Sequence, residues 1–307
     1  MTSPILDRIV LGLVRWVPNK VAHHLMFLVQ SEPAIPDGWG YHIRPIHYYE
    51  PIPDFRAVKL EQVNRRRSPI GVEFNWEHQL KLLHQLAAQY GEELRNLRPD
   101  SFNFDNGYFA GIDASVYYSL IRHLAPKRII EIGSGHSTRI AQLAFIRNRT
   151  EGKEGRITCI EPNPERLVGQ GLEIELLQQN VEEIPRDYFA SLEANDILFI
   201  DSTHTVKFGS DVCYEFLEIL PRLSPGVWVH VHDIFLPNDY PAEWILERRL
   251  AFNEQYLLEA FLSFSNAYSV ELSNYWLSLD YPDAVLALYP EASEKAKTAS
   301  SFWMRRN

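Results

Sequence analysis

The chain has 307 residues, long enough for one large domain or for a core domain with a substantial cap. Its apolar content of 46% and charged content of 23% are those of an ordinary globular protein, and no internal repeat or low-complexity stretch interrupts them. A formal net charge of -10 argues against a nucleic-acid surface and offers no attraction to an anionic membrane.

Two cysteines, Cys159 and Cys213, lie in apolar segments, too few for a disulfide framework or a zinc knuckle. They read as buried thiols of a reducing compartment. The apolar run Ile9–Val14 is too short for a signal core or a membrane span. The expectation is a cytoplasmic protein with no membrane span and no nucleic-acid partner.

Residues 5–29 space Ile5, Ile9, Leu13, Val17, Val21, Leu25 and Leu28 at helical intervals, and Pro18 divides them into two helices. Prolines and aromatics dominate from Glu32 to Asp54, which predicts an extended segment. The run Arg65-Arg66-Arg67 reads as a solvated face or a contact for an anionic substrate group. A helix is predicted from about Asn75 to Leu97, ending before Arg98-Pro99. Residues 1–100 thus read as a helical and irregular cap.

From Ser101 onward strands and helices alternate. A helix over Asp113–Leu124 precedes an apolar strand carrying Ile129, Ile130 and Ile132. Further strands are predicted at Arg156–Ile160, Ile174–Leu177, Asp196–Ile200 and Val227–Val231. Helices are predicted at Asp211–Leu220 and, as one long element, Glu243–Phe264. Tyr268–Leu277 and Ser301–Arg305 are expected to close the sheet as an antiparallel pair. This order predicts an α/β fold over residues 101–307: a Rossmann-like, seven-stranded, mostly parallel sheet with helices on both faces.

The first strand runs into Glu131-Ile-Gly-Ser-Gly-His, a turn whose glycines Gly133 and Gly135 let a ligand approach the backbone. Ser137 or Thr138 can cap the helix that follows. Thr138 stands where a dinucleotide fingerprint requires a third glycine, and an acid at Glu131 suits a sulfonium better than a pyrophosphate. Ser134 and His136 line the same turn. Glu161, ending the second strand, can accept hydrogen bonds from ribose hydroxyls or cap the next turn. Asn180 and Val181, after the third strand, stand where an adenine ring would be bonded and packed.

The fourth strand ends in Asp201-Ser-Thr-His204 and the fifth in His230-Val-His232-Asp233. Two readings fit these residues. Asp201, His232 and Asp233 can hold a divalent ion, whose nitrogen ligand suits zinc, iron or manganese better than magnesium, or His204 can act as a metal-free general base with Asp201 beside it. His230 is expected in the core. Asp113 or Tyr117 can touch the ligand, or Asp113 can cap its helix. The apolar segment Phe235–Pro241 reads as a lid over an acceptor pocket.

The turn Glu131-Ile-Gly-Ser-Gly-His resembles the first motif of the class I S-adenosylmethionine (SAM) dependent methyltransferases. The strand ends resemble those of catechol O-methyltransferase, with two departures: His204 stands in place of the lysine base, and His232-Asp233 in place of an Asp-Asn pair. Residues 47–54, 199–212, 229–241 and 301–306 are similar to a group of bacterial methyltransferases that includes tailoring enzymes of peptide and polyketide natural products. The resemblance implies SAM as cofactor, Glu131, Gly133, Ser134, Gly135, His136, Glu161, Asn180, Val181 and Asp201 at its site, and a small-molecule acceptor methylated on oxygen. A nicotinamide-dependent oxidoreductase and a non-catalytic small-molecule-binding module are the other classes these residues allow.

Overall fold

The computed structural model describes residues 46–63, 65–97, 101–164, 171–289 and 299–307. Two compact units, Met1–Val58 and Lys59–Asn307, make up the chain. The helix pair expected around Pro18 lies outside the described residues, as do residues 32–45 of the expected extended segment. Within the first unit, residues 46–58 form local turns in which the Asp54 carboxylate accepts from the Arg56 backbone and guanidinium.

The second unit is built on a seven-stranded sheet: β1 (Arg128–Ile132), β2 (Arg156–Ile160), β3 (Glu175–Leu177), β4 (Ile197–Ile200), β5 (Trp228–Val231), β6 (Tyr268–Ser273) and β7 (Phe302–Arg306). The strand order is β3-β2-β1-β4-β5-β7-β6, and β7 is antiparallel to both neighbours while the first five strands are parallel. Such strands are covered on both faces, so their residues alternate between two cores. Ile129, Cys159, Phe199 and Trp303 face one core, and Ile130, Leu198, Val229 and Met304 face the other.

Helices α1 (Trp76–Arg95), α2 (Gly111–Leu124) and α3 (His136–Arg149) cover the first face. Leu82, Leu83, Leu86 and Leu94 form the buried stripe of α1, which packs on α2 and on α8 (Pro282–Leu288). The helix expected in the cap therefore belongs to the unit that holds the sheet. Between them come α4 (Arg186–Ala190), α5 (Asp211–Tyr214), α6 (Glu254–Leu262) and α7 (Asn274–Asp280).

Two predicted helices are not continuous. The one from Asp211 passes into a π-helical turn, Glu215–Ile219, before Pro221. The long helix expected over Glu243–Phe264 is a π-helical turn at Glu243–Glu247, then α6. Arg249 between them adopts φ 54°, in the left-handed region that ends helices.

The strand order reverses between β1 and β4, where a crevice opens at the carboxyl ends of an α/β sheet. Hydrogen bonds beyond the strands hold the loops there in register: Gly133 N donates to Ile160 O, Asp201 N to Ile132 O and His232 N to Ile200 O, each at 3.0 Å.

Candidate functional site

A cavity of about 780 Å³ occupies this crevice, floored by Gly133, Ser134, Gly135 and Asp201 and walled by Tyr108, His136, Trp244 and Phe252. A second, of about 540 Å³, shares Gly133, Glu161 and Asp201 with it and contains Asn180 and Val181. The two together are large enough for a nucleoside-sized group and a second small molecule. Gly133, Ser134, Gly135, His136, Glu161, Asn180, Val181 and Asp201 all line one or both.

The glycine turn is shaped by close packing. At Gly133, φ is 81° and a Cβ would lie 2.3 Å from the Asp201 carbonyl oxygen. At Gly135 a Cβ would meet nothing within 4 Å, so that position leaves the cavity floor open. Thr138 Oγ1 accepts from Gly135 N at 3.0 Å and fixes the entry to α3. Ser134 Oγ is buried at the cavity without a partner, and an incoming ligand would satisfy it. Glu161 Oε1 accepts from Asn163 N at 2.7 Å, so part of this carboxylate shapes the turn.

Glu131 is a correction to the sequence reading. Period-two alternation turns its side chain under the sheet beside Cys159, where it is fully buried and does not line either cavity. Ser137 Oγ donates to it, and burial raises its pKa to about 8, so it is a neutral acid at pH 7. It buttresses the turn from behind and gives no grounds for preferring a sulfonium to a pyrophosphate.

At the ends of β4 and β5, four side chains form a tight charged cluster. His204 Nε2 lies 3.4 Å from both Asp201 Oδ1 and Asp233 Oδ2. His232 Nδ1 lies 3.5 Å from Asp201 Oδ1 and 3.3 Å from Asp233 Oδ1. His204 and Asp233 have φ of 58° and 57°, which costs a non-glycine residue about 1 kcal/mol or more and is commonest where function requires it.

Burial lowers the imidazole pKa values, but the surrounding carboxylates more than offset it. His204 is held well above the ordinary range by Asp201, Glu254 and Asp233, and His232 is pushed to about 9 by Asp233, Asp201 and Asp113. Burial acts to raise Asp201, yet the charge of His232 and the bonds from both imidazoles hold it far below the carboxylate range.

Sequence reasoning missed Glu254. It is 1% exposed, begins α6, and its Oε2 lies 2.9 Å from His204 Nδ1. The His204 carbonyl in turn accepts from Asn253 N at 3.1 Å and Glu254 N at 3.3 Å, satisfying the first donors of the helix. Glu215 is fully buried nearby, accepts from Ser202 Oγ at 3.1 Å, and is pushed well above the carboxylate range by burial and by the charge of Glu254.

Among the described residues, no group of three or more His, Cys, Asp or Glu side chains is arranged to hold a metal ion. Asp201, His232 and Asp233, the three read as possible ligands, do meet, with the imidazole of His232 beside both carboxylates.

Other placements differ from expectation. Asp113 accepts from Asn274 Nδ2 and from Ser300 N and Ser301 N, tying α2 to the entry of β7, and stands 3.8 Å from His232 Nε2. Tyr117 is buried against Phe199 and lies away from the cavity lining. Phe235, Leu236 and Tyr240 are buried and line neither cavity, so Phe235–Pro241 is packed structure and not a lid. Arg65, Arg66 and Arg67 are ion-paired to Asp239, Asp280 and Asp239 with Glu259, respectively. His230 is in the core as expected, stacked on Phe199 at 3.8 Å and bonded to Ser301 Oγ.

Residues 130–234 match a family model described as a methyltransferase domain. An uncharacterized protein of Archaeoglobus fulgidus is 31% identical over 167 residues, which cover 50% of this chain and 75% of that protein. Among solved structures, a Podospora anserina methyltransferase bound to S-adenosylhomocysteine is 17% identical, with 77% of this chain and 98% of that one covered and a TM-score of 0.41. The plantazolicin methyltransferase BpumL, solved with a pentazolic desmethylPZN analogue and S-adenosylhomocysteine, is 15% identical, with 74% and 98% covered and a TM-score of 0.38.

Proposed function

The chain belongs to the methyltransferase-domain family, and from that premise we propose that it transfers a methyl group from SAM to a hydroxyl oxygen of a small, partly apolar metabolite. The observation that carries this reading is His204, which lines the cavity with a buried carboxylate at Nδ1 and with Nε2 beside Asp201 and Asp233. A hydroxyl needs a base at such a place if it is to attack carbon.

The residues divide the work as follows. Gly133, Ser134 and Gly135 cradle the amino-acid end of the donor, Glu161 takes the ribose hydroxyls, and Asn180 and Val181 hold the base. Bound there, SAM supplies an electrophilic methyl group on a sulfonium. Glu254 accepts from His204 Nδ1, which leaves Nε2 of the neutral ring as the proton acceptor toward the acceptor hydroxyl. Asp201 and Asp233 stabilise the imidazolium that results.

In the free protein the same carboxylates keep His204 protonated. A cation entering the cavity beside two imidazoliums lowers their pKa values and prepares the base. No step in this scheme requires a metal. Aromatic walls at Tyr108, Trp244 and Phe252 suit an apolar acceptor of the kind modified in natural-product tailoring.

Calorimetry with SAM and with S-adenosylhomocysteine tests the donor, and mass spectrometry of candidate acceptors for a gain of one methyl group tests the reaction. Binding of both donor forms and transfer to a hydroxyl are expected. Binding of NAD in their place, or donor binding without transfer to any hydroxyl compound, would overturn the proposal.

A further inference from the structure

Among the described residues, Arg248 is the one Lys or Arg side chain lining the larger cavity, where the other lining charged groups are acids and histidines. It is exposed, unlike His204 and His232, which places it at the mouth. Among the described residues it makes no ion pair. Its guanidinium instead lies over the Trp244 ring, 5.2 Å from the centroid. A stacked guanidinium keeps its edge N–H groups free for a planar anion.

From that cation an aromatic wall leads inward. Trp244 meets Phe252 edge-on at 5.8 Å, and Phe252 lies against the His204 ring at 4.9 Å. The wall joins the charge at the mouth to the base at the floor, and it is separate from the glycine turn that serves the donor.

Resting on the methyltransferase reading, we infer that Arg248 is a specificity-determining residue that selects acceptors bearing an anionic group: hydroxy acids whose flat apolar body lies along Trp244 and Phe252. The acid meets Arg248 while the hydroxyl reaches His204. A neutral acceptor of the same shape leaves the guanidinium without a partner and binds less tightly.

The probes are 2-naphthoate and 2-naphthamide, which share a body and differ in charge, titrated into free and S-adenosylhomocysteine-loaded full-length protein. Naphthoate is expected to bind at least about tenfold tighter than naphthamide. Arg248→Gln should erase that preference, Arg248→Lys should restore part of it, and S-adenosylhomocysteine affinity should stay unchanged in both. Equal binding of acid and amide to wild type overturns the inference, as does persistence of the preference in Arg248→Gln. Weakened S-adenosylhomocysteine binding in the variants overturns it too, since Arg248 would then serve the donor's carboxylate. Failure of wild type to bind S-adenosylhomocysteine counts against the methyltransferase reading instead, and the naphthoate comparison on free protein still decides the anion site.

Discussion

The 2.9 Å contact between His204 Nδ1 and Glu254 Oε2 leaves Nε2 as the ring nitrogen beside Asp201 and Asp233, both of which line the cavity. Replacing the base and replacing its support should therefore give different signatures. His204→Ala should lower turnover by about 10² to 10⁴ with donor affinity nearly intact. Glu254→Gln should lower it less and move the pH–rate profile toward acid, because a neutral amide no longer raises the His204 pKa. Steady-state kinetics across pH, with donor titration of each variant, checks both. An unshifted profile in Glu254→Gln would reduce that residue to packing.

Charge in the cluster links donor binding to proton release. Two imidazoliums share the cavity with a cationic sulfonium, so SAM should expel more protons on binding than the uncharged sulfur of S-adenosylhomocysteine. Calorimetry in buffers of different ionisation enthalpy measures that difference. Equal release for the two ligands would remove the histidines from donor binding.

His232 also makes stability depend on pH. Its pKa of about 9 lies above the ordinary 6.5, so the folded state keeps a proton that the unfolded chain gives up. That contribution, up to about 3 kcal/mol, is complete below pH 6.5 and is lost as the pH rises through 9. His232→Asn should flatten the decline over this window in denaturant melts.

Glu131 works in the same direction through an acid. Its carboxyl stays protonated up to about pH 8 in the folded protein, against 4.5 when unfolded. The unfolded state therefore binds fewer protons over that range, and stability falls as the pH rises from 4.5 through 8. Glu131→Gln should match wild type near pH 4.5 and exceed it by a few kcal/mol, to order of magnitude, above pH 8. A variant less stable at every pH would show that the carboxylate itself is needed.

The two turn glycines should separate folding from binding. Gly133→Ala places a methyl against the Asp201 carbonyl at a left-handed φ and should cost more than about 1 kcal/mol of stability. Gly135→Ala meets open space and should fold normally while weakening donor binding. Thermal melts and donor titration of both variants provide the comparison.

The parallel strands were legible because each is a short apolar run between turn residues, and the cofactor turn because two glycines punctuate one of them. Asp201, His204, His232 and Asp233 were legible as residues at strand ends. Glu254 was not. An apolar-periodic stretch from Glu243 to Phe264 reads as one helix, and nothing local marks the break that sets Glu254 at a new helix start beneath His204. The aromatics of Phe235–Pro241 carry the same apolar signal whether they wall a pocket or fill a core. Likewise, three consecutive arginines look solvated until Asp239, Glu259 and Asp280 are brought to them by the tertiary fold.

Strand β7 follows the other six strands in the chain, yet it lies inside the sheet between β5 and β6, and the residues leading into it bond to Asp113, 187 and 188 positions earlier. A chain in which that strand is not yet paired therefore carries a gap in its sheet, and its half-built crevice lacks the Ser300 contacts to His232 and Asp233. Competence should arrive abruptly once β7 is in place, and its deletion should be felt first as an exposed, aggregation-prone slot in the sheet.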